Sequence, residues 1–169
     1  MKTPILETSR LWLKPLKEED APGAFLWTGD PKVSWYMRYE THESLEDTKQ
    51  WLREEEKQLD SDLLYDFGFH KKDNDELIGS GGLTFNQQQG IWELGCNLRR
   101  DCWNQSYGTE AAAAILSFAE NTLHIHRVMA RHAKDNAASG RVLEKNGFSF
   151  VRECWDQKWS GSHRFECRE

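Results

Sequence analysis

The sequence predicts an α/β protein, α+β in arrangement, with a mixed and mostly antiparallel sheet of six or seven strands flanked by about four helices. Three strand-like segments joined by short turns lie in the middle of the chain, which predicts an antiparallel meander. A helix, a strand, a second helix and further strands follow, which predicts a β-α-β crossover beside the meander. The 169 residues include 8 Trp and 8 Phe, which is enough bulky material for one core.

The first third of the chain carries one strand-like segment and three helix starts. Residues 9–16 alternate apolar and polar side chains up to a proline, which predicts a short strand. The acidic run KEED then opens a helix. Asp30 is a predicted N-cap, and Pro31 fits the first position of the helix after it. Ser44 and Asp47 form an acidic variant of a capping box, and an amphipathic helix follows them.

The rest of the chain supplies most of the sheet. The predicted meander strands cover 63–71, 76–86 and 91–98. Glycines inside the second of these strands predict a bulge or a close approach of backbones. The elements predicted after the meander are a helix over 109–123, a strand over 127–133, a helix from Ala137 closed by Gly147, and strands over 148–159 and 163–169.

Composition argues against several classes of partner. The net charge is −6, which disfavours a nucleic-acid backbone or an anionic membrane surface as the partner. No apolar run approaches the roughly 20 residues of a membrane span. The N-terminus MKTPILETSRLWLKPL alternates instead of forming the apolar block of a signal peptide. We therefore expect a cytoplasmic protein that binds neither nucleic acid nor membrane.

The cysteines predict free thiols and no metal site. None of them forms a CxxC pair, and His124 and His126 have no third ligand nearby in sequence. In a reducing compartment we expect four free thiols. The four cysteines are Cys96, Cys102, Cys154 and Cys167.

The segment RRDCWNQSYGTEAAAA, residues 99–114, has the parts of an anion-binding loop. A polar run ends at the strongest helix-forming stretch of the chain, and the first turn of a helix offers unpaired N–H groups and partial positive charge. Arg99 and Arg100 stand at the start of the segment and can add charge-assisted hydrogen bonds to a phosphate. On these residues alone, a pyrophosphate cradle and a surface connection with two solvated arginines both stay open.

The order of elements and several local motifs resemble the GNAT N-acetyltransferase superfamily, particularly its RimJ/RimL branch. That branch opens its acetyl-CoA loop with Trp-Gly-x-Gly-Tyr-(Ala/Gly)-Thr-Glu-Ala, and this chain departs from it at Asn104 and Ser106. The stretch DNAASGRVLEKNGFSFV is similar to the signature Asn-x-x-Ser-x-x-Val-Leu-Glu-Lys-x-Gly-Phe. The stretches ETSRLWLKPLKEED and WELGCNLRRDCW also resemble the branch, so the likeness spans nearly the whole chain. It implies a GNAT fold, in a single domain over residues 1–169.

The resemblance implies acetyl-CoA as the cosubstrate and no metal. Asn136 is expected to hydrogen-bond the pantetheine arm, with a helix N-cap as its ordinary alternative. The residues expected to contact acetyl-CoA are Cys96, Asn97, Leu98, Arg99, Arg100, Trp103, Asn104, Gln105, Ser106, Tyr107, Gly108, Thr109, Asn136 and Ser139.

Two side chains are implied in catalysis by the same resemblance. Glu93 is the implied base that takes a proton from the amine, and Ser139 is the hydroxyl that protonates the leaving thiolate. The ordinary alternatives are an outward-facing strand glutamate and a polar residue in the first turn of a helix. The tyrosine that many relatives use as the acid is absent, because Val142 and Leu143 occupy that region.

Two further features of the mechanism are expected, namely stabilisation of the oxyanion by the backbone and direct transfer of the acetyl group. A backbone N–H between Cys96 and Leu98 is expected to stabilise the oxyanion, although the sequence does not identify which one. A covalent route would need a cysteine near the thioester. Cys96 and Cys102 are close in sequence, but they are better interpreted as small buried hydrophobes.

The amine substrate is either a protein N-terminal α-amine or a small-molecule amine, lying over the sheet between the first helices and the final hairpin. The acidic surface is compatible with a cationic amine or a basic peptide. Besides acetyl-CoA and this amine we expect no other partner, in a monomer or a homodimer. The candidate walls of the amine site, with core packing as the alternative, are Trp27, Trp35, Tyr36, Trp155 and Trp159.

Two other functions stay open at this point. One is a catalytically silent acyl-CoA-binding or regulatory module, since a Cβ at Ser106 would crowd the pyrophosphate or forbid a positive φ. The other is a structural or interaction domain, against which the signature with Asn136 and Ser139 counts. We predict that coenzyme A still binds, because Ser106 supplies the same backbone N–H provided that its φ is negative.

Overall fold

The computed structural model describes residues 2–156 and 163–169. Within these residues the strands form one sheet of eight, numbered along the chain. They are β1 (Leu6–Glu7), β2 (Leu11–Lys14), β3 (Leu64–Lys71), β4 (Leu77–Asn86), β5 (Ile91–Leu98), β6 (Val128–Ala133), β7 (Phe150–Asp156) and β8 (His163–Arg168).

The sheet is mixed and mostly antiparallel, as predicted. Its order is β1-β2-β3-β4-β5-β6-β8-β7, and only β5 and β6 run parallel among the described pairs. A parallel pair needs a crossover connection, which the long helix between β5 and β6 supplies. The sheet is one strand larger than the upper prediction, because the two residues of β1 are too few to show an alternating pattern.

Helices cover the two faces of the sheet. The chain forms a 3₁₀ turn at Glu18–Asp20 and another at Arg100–Cys102, just before the loop of interest. No helix in the described part of the chain is both long and apolar enough to cross a membrane. The α-helices there are α1 (Ala21–Thr28), α2 (Pro31–Ser34), α3 (Leu45–Lys57), α4 (Tyr107–Asn121) and α5 (Ala137–Lys145).

The helix ends follow from local side-chain chemistry. Asp30 Oδ1 accepts a hydrogen bond from Lys32 N at 2.9 Å, so the predicted N-cap of α2 is confirmed. The capping box of α3 is also confirmed, since Ser44 Oγ accepts from Asp47 N and the Asp47 carboxylate accepts from Ser44 N. Gly147 follows the end of α5 with φ 87°, a left-handed conformation that glycine adopts without strain.

Two hydrophobic clusters lie on opposite faces of the sheet. On one face, α4 packs on the meander, where Phe67 and Phe118 meet edge to face at 6.0 Å. On the other face, α1 and α3 bury Trp27 and Leu52. A Cβ on Gly68, next to Phe67 along β3, would press into this second cluster, as expected for alternating faces. The central strands are therefore covered on both sides.

Candidate active site

β5 and β6 pair over only three residues each and then separate. Their parallel register runs from Trp92 opposite Val128 to Leu94 opposite Ala130. Beyond that point β5 continues beside β4, and β6 continues beside β8. A wedge-shaped gap therefore opens between two neighbouring strands in the middle of the sheet.

Two backbone amides of β5 face this gap. Arg99 N donates to Ile78 O in β4 at 2.8 Å, so the N–H groups two and four residues earlier also face β4. The N–H groups of Cys96 and Leu98 alternate with these and face the gap instead. The Leu98 carbonyl at the same edge accepts a hydrogen bond from Trp103 Nε1 at 2.9 Å. The gap thus carries two N–H donors suited to a carbonyl oxygen that gains negative charge.

The loop between β5 and α4 adopts left-handed backbone at the two positions where glycine was expected. Asn104 has φ 60°, and Ser106 has φ 64° and ψ 10°. Coenzyme A binding was predicted on the condition that φ at Ser106 is negative, and the structure does not meet that condition, although the Cβ of Ser106 does not forbid the positive value. Asn tolerates this region through local hydrogen bonding, whereas a residue such as Ser pays about 1–2 kcal/mol. Ser106 is the N-cap of α4, and its side chain makes no capping hydrogen bond.

This loop ends at the N-terminus of α4, on the side of the molecule where the gap between β5 and β6 lies. The first N–H groups of the 15-residue α4 have no carbonyl one turn earlier in the helix. They combine with the positive end of the helix dipole into a site that favours a phosphate. Asn104 and Ser106 thus adopt the backbone conformation that glycine favours. These features fit the pyrophosphate of coenzyme A.

The N-terminal strand pair braces the loop from outside. Glu110 Oε1 accepts hydrogen bonds from Thr8 Oγ1 at 2.6 Å and Arg10 N at 2.8 Å, and Oε2 accepts from Arg10 Nε at 2.7 Å. Arg10 also donates to Gln105 O at 3.0 Å and lies over the Tyr107 ring, 4.2 Å from its centroid. Burial would raise the pKa of Glu110, but the bonds from Thr8 and Arg10 hold that pKa below its usual value. The first turn of α4 is therefore tied to the turn between β1 and β2.

Both arginines at the start of the loop already bind carboxylates. The Arg99 guanidinium contacts Asp101 at 2.6 Å and Glu76 at 2.8 Å, and these two hydrogen-bond partners raise its pKa although burial opposes them. Arg100 Nε lies 3.0 Å from Asp30 Oδ2, and half of the Arg100 side chain is exposed. Arg100 therefore keeps more guanidinium surface for a phosphate than Arg99 does. That both bind acetyl-CoA stays a prediction.

A cavity of about 540 Å³ lies on the α1 and α3 side of the sheet and reaches the gap. Trp27 and Tyr36, both predicted as walls, line it. Trp35 is 47% exposed and is not among the lining residues. The Trp155 side chain and all of Trp159 lie outside the described residues, so their predicted roles stay predictions. Three further side chains complete the aromatic wall, namely Tyr39, His42 and Trp51.

The floor of the cavity contains a row of glycines. Asp66, Gly82 and Gly95 are register partners across β3, β4 and β5, so they share one row and one face. A Cβ on Gly95 would meet no atom within 4 Å, which shows open space above β5. A Cβ on Gly82 would overlap the Tyr65 carbonyl oxygen, so the predicted close backbone approach is confirmed. Glu93 projects from the same face, two residues before Gly95.

Glu93 forms a two-pronged ion pair with Arg131. Arg131 Nε and Nη2 donate to the two carboxylate oxygens at 2.7 Å each, and Arg38 Nη1 lies 3.7 Å from Oε1. Both Glu93 and Arg131 are largely buried. Each Glu93 oxygen keeps a second lone pair with which it can meet an amine. The role of Glu93 as the base stays a prediction.

The first turn of α5 lines the cavity at the gap. Asn136 Oδ1 accepts a hydrogen bond from Ser139 N at 3.2 Å and so caps the helix. Asn136, Ser139, Val142 and Leu143 all line the cavity. The cap fixes the turn that carries Ser139. Asn136 and Ser139 thus line the same cavity as Glu93.

Comparison with known proteins settles the family. The family model described as acetyltransferase (GNAT) domain matches residues 10–149 of this chain. The chain belongs to the GNAT acetyltransferase family.

Other GNAT proteins share both sequence and fold with it. The uncharacterised N-acetyltransferase YoaA of Bacillus subtilis (strain 168) is 29% identical over 146 residues, which cover 86% of this chain and 82% of YoaA. An acetyltransferase of the GNAT family from Bacillus anthracis has a TM-score of 0.85 at 20% identity, covering 98% of this chain and 96% of that one. RimL, a ribosomal alpha-N-protein acetyltransferase in complex with coenzyme A, has a TM-score of 0.83 at 15% identity, with the same two coverages. The predicted GNAT fold with RimJ/RimL-like relatives is confirmed, and the chain is an N-acetyltransferase.

One thiol lines the GNAT cavity. Burial raises the pKa of Cys96 to about 12, and the nearby charge of Asp66 adds to the effect. A thiol that stays protonated at neutral pH is a poor nucleophile. The setting of Cys96 therefore favours direct acetyl transfer over a covalent route.

Sequence reasoning missed two carboxylates in this GNAT cavity, Asp66 on β3 and Glu55 on α3. Burial raises the pKa of Asp66 to about 7, and the charge of Glu55 adds to it. Burial also raises the pKa of Glu55, against the effect of a hydrogen bond from Trp51. One signal was present in the sequence, because Asp66 interrupts the largely apolar strand LLYDFGFHK.

The expectation of four free thiols is wrong for two of them. Cys154 on β7 and Cys167 on β8 form a disulfide, with their Cα atoms 6.3 Å apart, whereas Cys96 and Cys102 are free. Cys154 is the register partner of Phe165, which places Cys167 two residues further along the neighbouring strand, on the same face. That proximity depends on strand register, which cysteine spacing does not reveal. Among residues 2–156 and 163–169, no group of three or more His, Cys, Asp or Glu could hold a metal ion.

Proposed function

We propose that this GNAT protein transfers an acetyl group from acetyl-CoA directly to a primary amine, with one domain over residues 1–169 carrying the whole site. The amine is a protein N-terminal α-amine or a small-molecule amine. The observation that carries the proposal is the cavity that joins Glu93 to the gap between β5 and β6. An amine above the glycine floor and a thioester in the gap would meet beside the amides of Cys96 and Leu98.

Acetyl-CoA supplies an acetyl group activated as a thioester. The loop over 103–109 and the first turn of α4 would hold its pyrophosphate, supported by the left-handed backbone at Asn104 and Ser106. The open edges of the diverging strands and Asn136 would hold the pantetheine arm. Because RimL binds coenzyme A on the same fold, the same ligand is the simplest occupant here.

The residues around the gap supply the steps of the transfer. Glu93 draws in the ammonium group and is the predicted base. The neutral amine nitrogen attacks the carbonyl carbon, and the N–H groups of Cys96 and Leu98 stabilise the oxygen as it becomes negative. The C–N bond forms, the C–S bond breaks, and the proton lost from nitrogen reaches sulfur through the Ser139 hydroxyl. Holding the two substrates together in one cavity supplies several kcal/mol of the acceleration.

A thiol-release assay over small amines and Ala- or Ser-starting peptides tests the proposal, together with calorimetric titration of coenzyme A. We expect coenzyme A binding and acetylation of at least one class of amine. Glu93→Gln and Ser139→Ala should each lower kcat, with little change in coenzyme A affinity. The proposal fails if coenzyme A does not bind at millimolar concentration, and the assignments fail if both variants keep the wild-type rate.

A further inference from the structure

Asp66 and Glu93 are two carboxylates on the same face of the cavity floor in opposite electrostatic settings. Glu93 accepts two hydrogen bonds from Arg131 and has Arg38 nearby. Within the described residues no cationic side chain forms an ion pair with Asp66, whose carboxylate accepts a hydrogen bond from Phe67 N. One carboxylate is neutralised by the fold and the other is not.

Asp66 also has a clear line to the gap. It lies two strands from Gly95, or about 10 Å at the usual strand spacing. Gly82, the residue between them in this row, adds no side chain to that span. Hydrogen bonds cover about 3 Å each, so the span accommodates an amine nitrogen and one bridging water. Asp66 is therefore placed to exchange a proton with an amine near the gap.

We propose that Asp66, in place of Glu93, is the group on which the proton of the substrate ammonium comes to rest, while Ser139 keeps the role given to it above. The inference rests on the proposed function. It leaves Glu93 as the fixed negative charge that attracts the ammonium and makes Asp66 the proton acceptor.

The electrostatic environments of Glu93 and Asp66 support these two different roles. Protonating Glu93 would weaken its two charge-assisted hydrogen bonds from Arg131. Protonating Asp66 relieves a buried charge and its repulsion by Glu55, the two causes that raise its pKa to about 7.

Other titratable groups near Asp66 do not replace it near neutral pH. Burial lowers the pKa of His42, and burial together with Asp66 raises that of Cys96, so both are neutral there. The other charged and titratable groups that line the cavity with Asp66 are Glu55 from α3, Tyr36, Arg38, Tyr39 and His42 from the segment between α2 and α3, Glu93 and Cys96 from β5, and Arg131 and His132 from β6.

The proton balance of the step is simple. One N–H bond of the ammonium breaks and an O–H bond forms on Asp66, through the bridging water. The freed lone pair forms the C–N bond while the C–S bond breaks, and a second proton from nitrogen goes to sulfur through Ser139. Asp66 returns its proton to solvent before the next turnover.

The test is the pH dependence of kcat/KM by thiol release, between about pH 5.5 and 9.5, with an alkyl amine that the wild type acetylates. We expect the wild-type profile to rise and level off with a midpoint near 7. Asp66→Asn should lose at least about 100-fold in kcat/KM at pH 7 and rise without levelling off until the amine itself deprotonates. Glu93→Gln should lower kcat/KM but keep the midpoint near 7.

Glu55→Gln supplies a measurement that does not require a working Asp66 variant. Removing this neighbouring charge should move the midpoint to lower pH, an effect that a merely structural role would not produce. The proposal is overturned if Asp66→Asn keeps the wild-type profile, if Glu93→Gln abolishes the midpoint, or if Glu55→Gln leaves it in place. Thermal unfolding and coenzyme A calorimetry check each variant for folding. A wild-type enzyme that acetylates no amine refutes the proposed function itself, and this inference with it.

Discussion

Replacing Ser106 with glycine should stabilise the protein, although it removes a side chain. Ser106 sits at φ 64° and ψ 10°, and its side chain makes no capping hydrogen bond, so no cap is lost in the substitution. Removing the Cβ relieves about 1–2 kcal/mol of backbone strain. The greater freedom of glycine in the unfolded chain costs about 0.5–1 kcal/mol. The net gain in the free energy of unfolding is about 0.5–1 kcal/mol.

The measurement is urea unfolding followed by circular dichroism, with thermal unfolding beside it. For a chain of this length 1 kcal/mol corresponds to about 2–4 °C, so the midpoint temperature should rise by about 1–4 °C. Coenzyme A affinity should change by less than about threefold. The substitution leaves in place the backbone N–H groups that would hold the pyrophosphate, so it removes no predicted ligand contact.

Ser117→Gly is the matched control, since it makes the same substitution in the interior of the same helix. Ser117 is exposed and takes part in a hydrogen bond with Asn121 Nδ2 at 3.1 Å. Glycine there should destabilise the protein by about 0.5–1 kcal/mol. The two variants should therefore shift stability in opposite directions. If Ser106→Gly destabilised the protein as much as Ser117→Gly, the strain at Ser106 would be refuted.

Three other predictions follow from the described contacts. Glu110→Ala should raise the Kd of coenzyme A at least fivefold in calorimetry and lower the midpoint temperature, because Arg10 loses the carboxylate that fixes the loop. Denatured, unreduced protein should titrate two thiols with a thiol reagent instead of four. Reduction of the Cys154–Cys167 disulfide should cost about 3 kcal/mol of stability, because the two cysteines are 13 residues apart in sequence. The folded pKa of Asp66, about 7, exceeds its unfolded value, so the folded state binds the extra proton between about pH 4 and 7 and wild-type stability falls as pH rises through that window. Asp66→Asn should remove this loss. Between pH 4 and pH 8 its free energy of unfolding, measured in urea, should therefore improve relative to that of the wild type by about 2–4 kcal/mol.

Each of these predictions has an outcome that would contradict it. Glu120→Gln, an exposed change on the same helix, is the control for Glu110→Ala. If both variants bound coenzyme A equally well, Glu110 would not brace the loop. Four titrating thiols in unreduced protein would rule out the disulfide. An Asp66→Asn protein with the wild-type dependence of stability on pH would show that the Asp66 pKa is not raised.

Local signals in the sequence predicted most of the fold and several of the helix caps. The caps at Asp30 and Ser44 act within three residues, so they could be predicted without tertiary contacts. The same holds for Asn136 and Ser139, which one helix turn brings together. The negative φ assumed at Ser106 is not found, because the usual preference of a non-glycine residue does not decide the backbone conformation at this position.

The amine side was harder to predict because its contacts join distant parts of the chain. Glu93 and Arg131 are 38 residues apart, and their ion pair depends on the register of the parallel strands. Asp66 gains its raised pKa from burial and from Glu55 on a helix that precedes it in sequence. Burial and register are tertiary properties, and no spacing of residue types encodes them.

The brace formed by Glu110 has a practical consequence for handling the protein. Thr8 and Arg10 hold the first turn of α4, next to the predicted acetyl-CoA loop, through hydrogen bonds that span about 100 positions of sequence. An affinity tag or fusion partner that pulled on Thr8 or Arg10 would therefore disturb a ligand site that looks remote from it. If an N-terminally tagged preparation bound coenzyme A more weakly than the same protein tagged elsewhere, the tag would be the cause.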